Sequence, residues 1–133
     1  MFDIISTIKK LPSMESLSPA NSETIKIAEE TLKLKFAEDY KKYLSTFGAV
    51  CSDIIAISGI SDKSYINVLN LTLKARSANE QIPPNFYVIE DVGVDGLIIW
   101  QDETGAIYQS TPLKAPKKIN DNLSDYLEYV LKG

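Results

Sequence analysis

The sequence contains no histidine and one cysteine, Cys51, and these two shortages exclude several kinds of chemistry. Without histidine, the chain cannot form a Ser-His-Asp or Cys-His nucleophile system or a histidine-ligated zinc site. A single cysteine can neither close an internal disulfide nor build a thiolate metal site, which fits a protein of the reducing cytoplasm. We find no enzymatic motif and expect no cofactor or metal, although carboxylate binding of calcium or magnesium stays open. Carboxylate catalysis and a lysine nucleophile are the chemistries left open.

Long hydrophobic runs are also missing. No apolar segment approaches the roughly 20 residues that a membrane-spanning helix needs, so we expect no membrane insertion. The N-terminal segment has no charged stretch before an apolar run, and we expect no signal peptide. The 133 residues contain no internal repeat, low-complexity tract or linker. We therefore predict a single domain over residues 1–133.

Basic residues are absent from one part of the chain. Residues 77–113 contain six acidic side chains and no lysine or arginine, so this segment accounts for the net charge of −4. Such a segment repels nucleic acid and attracts basic protein surfaces. We predict a partner-binding site at five of these residues, namely Glu90, Asp91, Asp95, Asp102 and Glu103. The alternative is a solvated acidic rim that keeps strand edges soluble.

The same carboxylates have competing structural roles. Asp91, Asp95 and Asp102 are residue types that favour turns by bonding their own backbone, and we favour that role for Asp102. A calcium loop at 91–95 lacks the alternating ligands and final glutamate of an EF-hand. A pair of carboxylates like that of a glycosidase is also possible, but any acidic protein offers such pairs. The basic cluster of Lys114, Lys117 and Lys118 is too short and too poor in aromatic residues to indicate nucleic acid binding.

Hydrophobic periodicity predicts five helices. They cover residues 1–10, a segment that starts at Ser18-Pro19 and runs past residue 32, residues 38–47 ending at Gly48, residues 64–78, and residues 123–131. Predicted strands cover 53–58, 86–90, 97–101 and 106–109, with loops at 11–17 and around Pro112 and Pro116. Because neighbouring strands connect through short turns, the sheet should be mainly antiparallel. The fold class is therefore α+β, with helices packed around that sheet.

The aromatic residues are mainly candidates for the core. Tyr40, Tyr43 and Phe47 share one face of the third predicted helix, so we expect them to be buried. Trp100 and Tyr108 are expected in the core or on a sheet face, with a role as exposed binding anchors as the alternative. We expect Cys51 to be a small buried residue.

Two blocks of the sequence carry a family resemblance. The first is Lys35 to Leu44, read KFAEDYKKYL, which is followed by Gly48. The second is the series of strands and acidic turns from Phe86 to Tyr108, closed by the helix at 123–131. Together they resemble the SUKH superfamily of bacterial immunity proteins, which also includes a yeast cell-wall-assembly regulator tied to killer-toxin resistance. The resemblance covers most of residues 19–131. The chain departs from it where Phe36-Ala37 replaces a Leu-Pro pair.

The resemblance implies a cytoplasmic, non-catalytic protein with this α+β fold. Many members of the superfamily protect a cell by binding a polymorphic toxin, often a nuclease. We therefore expect an immunity protein whose partner is a basic toxin domain, bound through protein–protein contact. The alternative function is a regulatory or scaffolding interaction domain without a cognate toxin.

Overall fold

The computed structural model describes residues 3–133, which form five helices and seven antiparallel strands. The helices are α1 (Ile4–Lys9), α2 (Ser22–Leu32), α3 (Glu38–Phe47), α4 (Val68–Ala78) and α5 (Leu123–Lys132). The strands are β1 (Glu15–Ser16), β2 (Val50–Cys51), β3 (Ala56–Ile57), β4 (Tyr87–Asp91), β5 (Ile98–Gln101), β6 (Ile107–Ser110) and β7 (Lys117–Asn120). This architecture confirms the predicted α+β class.

The strands form two antiparallel sheets. A small sheet has the order β1-β2-β3, and a larger one has the order β4-β5-β6-β7. In the larger sheet Trp100 lies opposite Val88 on one side and Tyr108 on the other. Since every strand of this sheet pairs with its neighbour in sequence, short connections alternate between its two ends.

The larger sheet buries both of its faces. One face carries Tyr87, Ile99 and Ile107 into the main core, which also receives side chains from α1, α2, α3 and α5. The opposite face carries Val88 and Trp100 into a second, smaller cluster beside α4. Alternation along each strand explains the division, because successive side chains point to opposite faces.

Buried aromatic residues dominate the main core. The rings of Phe36, Tyr40 and Tyr87 lie about 5 Å from one another with edge-on or tilted geometry. The buried Tyr43 hydroxyl donates to the Ile57 carbonyl oxygen at 2.8 Å, so its burial leaves no unmatched donor. The prediction that Tyr40, Tyr43 and Phe47 are core residues is confirmed.

The structure also shows how far Trp100, Tyr108 and Cys51 are buried. Trp100 is 1% exposed, and its indole Nε1 donates to Ser110 Oγ at 2.8 Å. Tyr108 lies partly buried on the same sheet face, against Phe86. The expectation that Cys51 is buried was wrong: it is partly buried, because in β2 the preceding Val50 points into the core and Cys51 points to the other face of the small sheet.

Two helix starts differ from the prediction. α2 begins at Ser22, because the Asn21 side chain accepts the Thr24 backbone N–H at 2.8 Å and so caps the helix after Pro19. α4 begins at Val68 instead of residue 64, because Asn67 accepts the N–H groups of Leu69 and Asn70. The predicted first helix is confirmed from Ile4 onward, while Met1 and Phe2 lie outside the described residues.

Three strands were not predicted. β1 lies within the predicted loop 11–17, β2 begins two residues after Gly48, and β7 follows Pro116. Strands β1 and β7 are edge strands with mainly exposed side chains, so they lack the alternation that marks a half-buried strand. Their pairing is therefore a tertiary effect that local sequence does not indicate.

Candidate functional site

A β-bulge in β4 determines where the first group of predicted carboxylates points. Val88 lies opposite Trp100, but Glu90 lies opposite Ile99, so Ile89 is an extra residue in this strand. The extra residue reverses the alternation beyond it. Glu90 therefore shares the face of Ile99 and the main core, whereas Asp91, opposite Ile98, shares the face of Trp100 and α4.

Glu90 contacts α5. Its Oε1 accepts the Tyr126 hydroxyl at 2.9 Å, and the side chain is half-buried. Burial raises the pKa of the Glu90 carboxyl; the hydrogen bond from Tyr126 lowers it and the neighbouring Asp91 raises it further. Glu90 thus links the sheet to the last helix, and only part of its carboxylate is open to a partner.

Asp91 is the exposed last residue of β4, and Asp95 is exposed on the connection between β4 and β5, residues 92–97. Asp91 Oδ1 accepts the Gly93 backbone N–H at 3.1 Å, which shapes the turn. Asp95 has a left-handed backbone with φ 53°, a conformation that aspartate tolerates better than most residues. Its carboxylate makes no hydrogen bond to any of residues 3–133, so both acids present charge to solvent.

Asp102 lies in a different environment. It is 7% exposed, and its carboxylate accepts the Thr104 N–H at 3.0 Å, the Thr104 hydroxyl, and the Tyr108 hydroxyl at 2.9 Å. These bonds hold the turn between β5 and β6. The neighbouring Glu103 is exposed, and within the described chain it has no side-chain hydrogen bond.

The five predicted residues do not lie in one patch. Asp91 pairs with Ile98 at the start of β5, and Asp102 follows Gln101 at the end of that strand. The two acidic connections therefore lie at opposite ends of the larger sheet. Glu90, Asp91 and Asp95 share one end, while Asp102 and Glu103 share the other. Asp91, Asp95 and Glu103 are the three whose carboxylates face solvent, and their role in binding stays a prediction.

A network around Gln101 joins the Asp102 end of the sheet to the core. Gln101 is fully buried; its Oε1 accepts the Tyr87 hydroxyl at 2.7 Å, and its Nε2 donates to Asp39 Oδ1 and to the Gly105 carbonyl oxygen, each at 3.0 Å. Asp39 Oδ2 accepts the Leu123 N–H at 3.1 Å, at the start of α5. Burial raises the pKa of the Asp39 carboxyl, and the hydrogen bonds from Leu123 and Gln101 lower it.

Sequence reasoning missed this network. In the sequence, Asp39 is recognisable only as an acid in the first turn of α3, where the helix dipole favours a negative charge. Gln101 was treated as a strand residue without a role. A polar residue directly after the apolar run Leu97 to Trp100 was the one local signal, and it does not identify partners 62 residues away.

An open groove of about 800 Å³ lies between α2 and α3. Its rim carries four lysines and four carboxylates: Lys26, Lys35, Lys41, Lys42, Asp3, Glu29, Glu38 and Asp39. The carboxylates have intrachain partners: Asp3 caps α1, Glu29 accepts the Phe36 N–H, Glu38 pairs with Lys41, and Asp39 belongs to the Gln101 network. All four acids of the groove are therefore engaged in contacts within the chain. Residues 3–133 contain no group of three or more cysteine or acidic side chains arranged to hold a metal ion.

The comparison with protein families gives one match. The model SUKH_5, described as SMI1-KNR4 cell-wall, matches residues 1–132. The chain belongs to the SUKH_5 family. A comparison with curated proteins finds no match.

Membership in SUKH_5 confirms the superfamily resemblance. Domains of the SUKH and SMI1-KNR4 type are in general non-catalytic immunity or regulatory modules that act by protein–protein interaction. Among residues 3–133, no helix is both long enough and apolar enough to cross a membrane.

Proposed function

We propose that this SUKH_5 protein is a cytoplasmic, non-catalytic immunity protein of one domain that neutralises a polymorphic toxin, of nuclease type, by binding it. Family membership supports a role in protein–protein interaction. The toxin and its nuclease activity are what the resemblance to SUKH immunity proteins implies, and the acidic charge of the surface is compatible with them.

One observation carries the proposal. Asp91 at the end of β4 and Asp95 on the connection at 92–97 are exposed, and both lie within a segment of 37 residues that contains no lysine or arginine. A nuclease needs a basic surface to hold phosphates. An acidic inhibitor can cover that surface, and complementary charge accelerates encounter and rejects wrong partners.

Affinity capture from the native host tests the proposal. Tagged protein is used as bait, and bound proteins are identified by mass spectrometry. We expect one dominant partner with a toxin-like C-terminal domain. Adding the purified SUKH_5 protein to that domain should then protect DNA or RNA from cleavage. Recovery of a partner without toxic activity would contradict the immunity function.

A second candidate function is favoured by the family description itself. SMI1-KNR4 cell-wall describes a family connected with the cell wall, which suits a regulatory or scaffolding interaction domain without a toxin. In that case the same capture should recover cell-envelope or housekeeping proteins. A multidomain toxin gene directly upstream of this gene would favour immunity, whereas a solitary gene would favour the scaffold.

A further inference from the structure

A small apolar pocket opens beside Asp91. It has a volume of about 190 Å³ and lies between α4 and the sheet face that carries Trp100. Leu71 and Ala75 of α4 form one wall, and Ile98 and Trp100 of β5 form the opposite wall. Trp100 is 1% exposed and its indole Nε1 is bonded to Ser110 Oγ, so the ring is an almost fully buried part of the pocket wall.

The size of the pocket limits what it can hold. Sites for cofactors and drug-sized molecules are typically about 300–1,000 Å³, whereas an apolar cavity of about 150 Å³ accommodates one benzene molecule. At about 190 Å³, this pocket suits one aromatic ring or one branched aliphatic side chain. An anchor residue from another protein is an occupant of that size, and such anchors in pockets commonly dominate interface energetics.

Two exposed apolar residues flank the pocket. Val94 is 60% exposed on the 92–97 connection, and Leu113 is 75% exposed beyond Pro112. The two loops touch, because a Cβ on Gly96 would lie 2.6 Å from Pro112 Cγ, and Gly96 and Pro112 both line the pocket. Val94 and Leu113 are thus exposed apolar residues within two positions of Gly96 and Pro112, which line the pocket.

Leu113 is held in an unfavourable conformation. Its φ of 62° is left-handed, a conformation that is unfavourable for a residue with a Cβ because the Cβ lies too close to the following carbonyl oxygen. The Gln81 amide donates to the Leu113 carbonyl oxygen at 2.6 Å, and the Asn79 amide donates to the Lys114 carbonyl oxygen at 2.9 Å. These bonds tie the loop to the end of α4, so the leucine is fixed outward where glycine would be less strained.

The charge around the pocket selects the partner. Asp91 lines the mouth, Asp95 lies in the adjoining loop, and Glu80 is exposed directly after Asn79. Lys74 also lines the pocket and the exposed Lys114 follows Leu113, so these three acids outnumber two basic residues. A protein surface with positive charge around its anchor residue matches this arrangement.

We propose that the Trp100 pocket, with Val94, Leu113 and Asp91 at its rim, is the docking site for a leucine- or phenylalanine-sized side chain that projects from a basic protein surface. The inference rests on the proposed function, since that surface belongs to the toxin. It adds the apolar anchor that fixes the toxin in one orientation.

Fluorescence of Trp100, the single tryptophan, reports directly on the pocket. The probe is the blocked peptide Lys-Arg-Phe-Lys-Arg, compared with one peptide that has alanine for phenylalanine and another that has glutamate for every basic residue. We expect a saturable change in Trp100 emission with the first peptide and at least tenfold weaker binding of the other two. Equal binding of either control, or no saturable change with any peptide, overturns the proposal.

Variants of the full chain complete the peptide test. Leu113→Gly removes the exposed side chain and suits the left-handed backbone, so the melting temperature should stay unchanged or rise while peptide binding falls at least fivefold. Ala75→Leu fills the pocket and should abolish binding. Ile54→Gly removes an exposed side chain from a distant turn and should bind as the unmodified protein does. An emission change that grows with protein concentration alone would assign the pocket to a second copy and overturn the proposal.

The captured partner separates the two proposals. If the unmodified protein neutralises a toxin and Leu113→Gly and Ala75→Leu do so equally well, the pocket inference fails and the immunity function stands. If the peptide results hold but no toxin is captured, the immunity function fails and the docking pocket stands.

Discussion

The two connections at opposite ends of the larger sheet are both acidic, but their carboxylates differ in exposure and in hydrogen bonding. At one end of the sheet, Asp91 at the end of β4 and Asp95 in the connection at 92–97 present their carboxylates to solvent. In the turn at 102–105, Asp102 is buried and accepts three hydrogen bonds from Thr104 and Tyr108. The first connection is available for contact with another protein, whereas the second mainly stabilises the fold. Acidic composition alone does not separate these roles; the bonds made by each carboxylate do.

Gln101 gives the strongest test of that difference, because it joins the 102–105 turn to the core. Gln101→Leu keeps most of the side-chain volume but removes three hydrogen bonds. The Tyr87 hydroxyl loses its acceptor, and Asp39 Oδ1 and the Gly105 carbonyl oxygen lose their donor. We expect the free energy of unfolding to fall by about 3 kcal/mol, measured by chemical denaturation. Gln109→Leu, on the neighbouring strand β6, is the matched control and should change it by less than about 1 kcal/mol. Equal losses would show that the network does not hold this end of the sheet.

Asp102 itself should give the next largest effect. Asp102→Ala removes the acceptor for the Thr104 N–H and for two hydroxyls, so stability should fall by about 2 kcal/mol. Asp91→Ala is the control at the other connection. It removes one exposed contact with Gly93 and should cost less than about 1 kcal/mol. Thermal or denaturant unfolding measures both, and a larger loss for Asp91→Ala would invert the comparison.

Charge change at 92–97 should affect binding instead of folding. Asp91→Lys with Asp95→Asn reverses one charge and removes another without straining the left-handed position 95. We expect affinity for a basic partner to fall at least tenfold, about 1.4 kcal/mol, with stability changed by less than about 0.5 kcal/mol. Calorimetry at two salt concentrations measures the affinity and its electrostatic part.

Two controls accompany that variant. Asp53→Lys with Asp62→Asn makes the same change at exposed acids outside the acidic segment and should leave affinity unchanged. Glu103→Lys tests the opposite end of the sheet and should weaken binding less than the Asp91 variant. If Glu103→Lys has the larger effect, the interface belongs to the 102–105 end.

The smallest effect concerns Glu90, which neighbours Asp91 but points toward α5. Its pKa is raised in the folded protein, so the folded state holds more protons than the unfolded state above the ordinary value of 4.5. Stability therefore falls as pH rises through the raised pKa. Glu90→Gln keeps an acceptor for Tyr126 and should flatten this dependence, with a gain below about 1 kcal/mol at neutral pH. Denaturation at mildly acidic and neutral pH measures it, with Glu103→Gln as the exposed control; an unchanged pH profile would contradict the assignment.

Much of the fold was predictable because its determinants are local. The apolar face of Tyr40, Tyr43 and Phe47 and the cap at Gly48 define α3 in sequence. The turn at 102–105 fixes the β5–β6 hairpin in the same way. The edge strand β7 was not predictable, since its exposed lysines are held in place by pairing with β6.

The candidate site was less predictable, because side-chain direction depends on features without a local signature. The extra residue Ile89 sends Glu90 and Asp91 to opposite faces, and no motif in the sequence identifies that bulge. Leu113 was passed over as an ordinary loop residue between two prolines. Its exposure and its left-handed backbone are set by the Gln81 and Asn79 amides, more than 30 residues earlier.

The bond between Asp39 and the first N–H of α5 has a consequence for synthesis. α1 packs against both α3 and α5, and Lys10 Nζ lies 2.8 Å from Glu128 Oε1, so the earliest and latest helices of the described chain close the same core. During translation the chain emerges from its N-terminus, and contacts between such distant segments form last. The main core therefore stays open until α5 has left the ribosome.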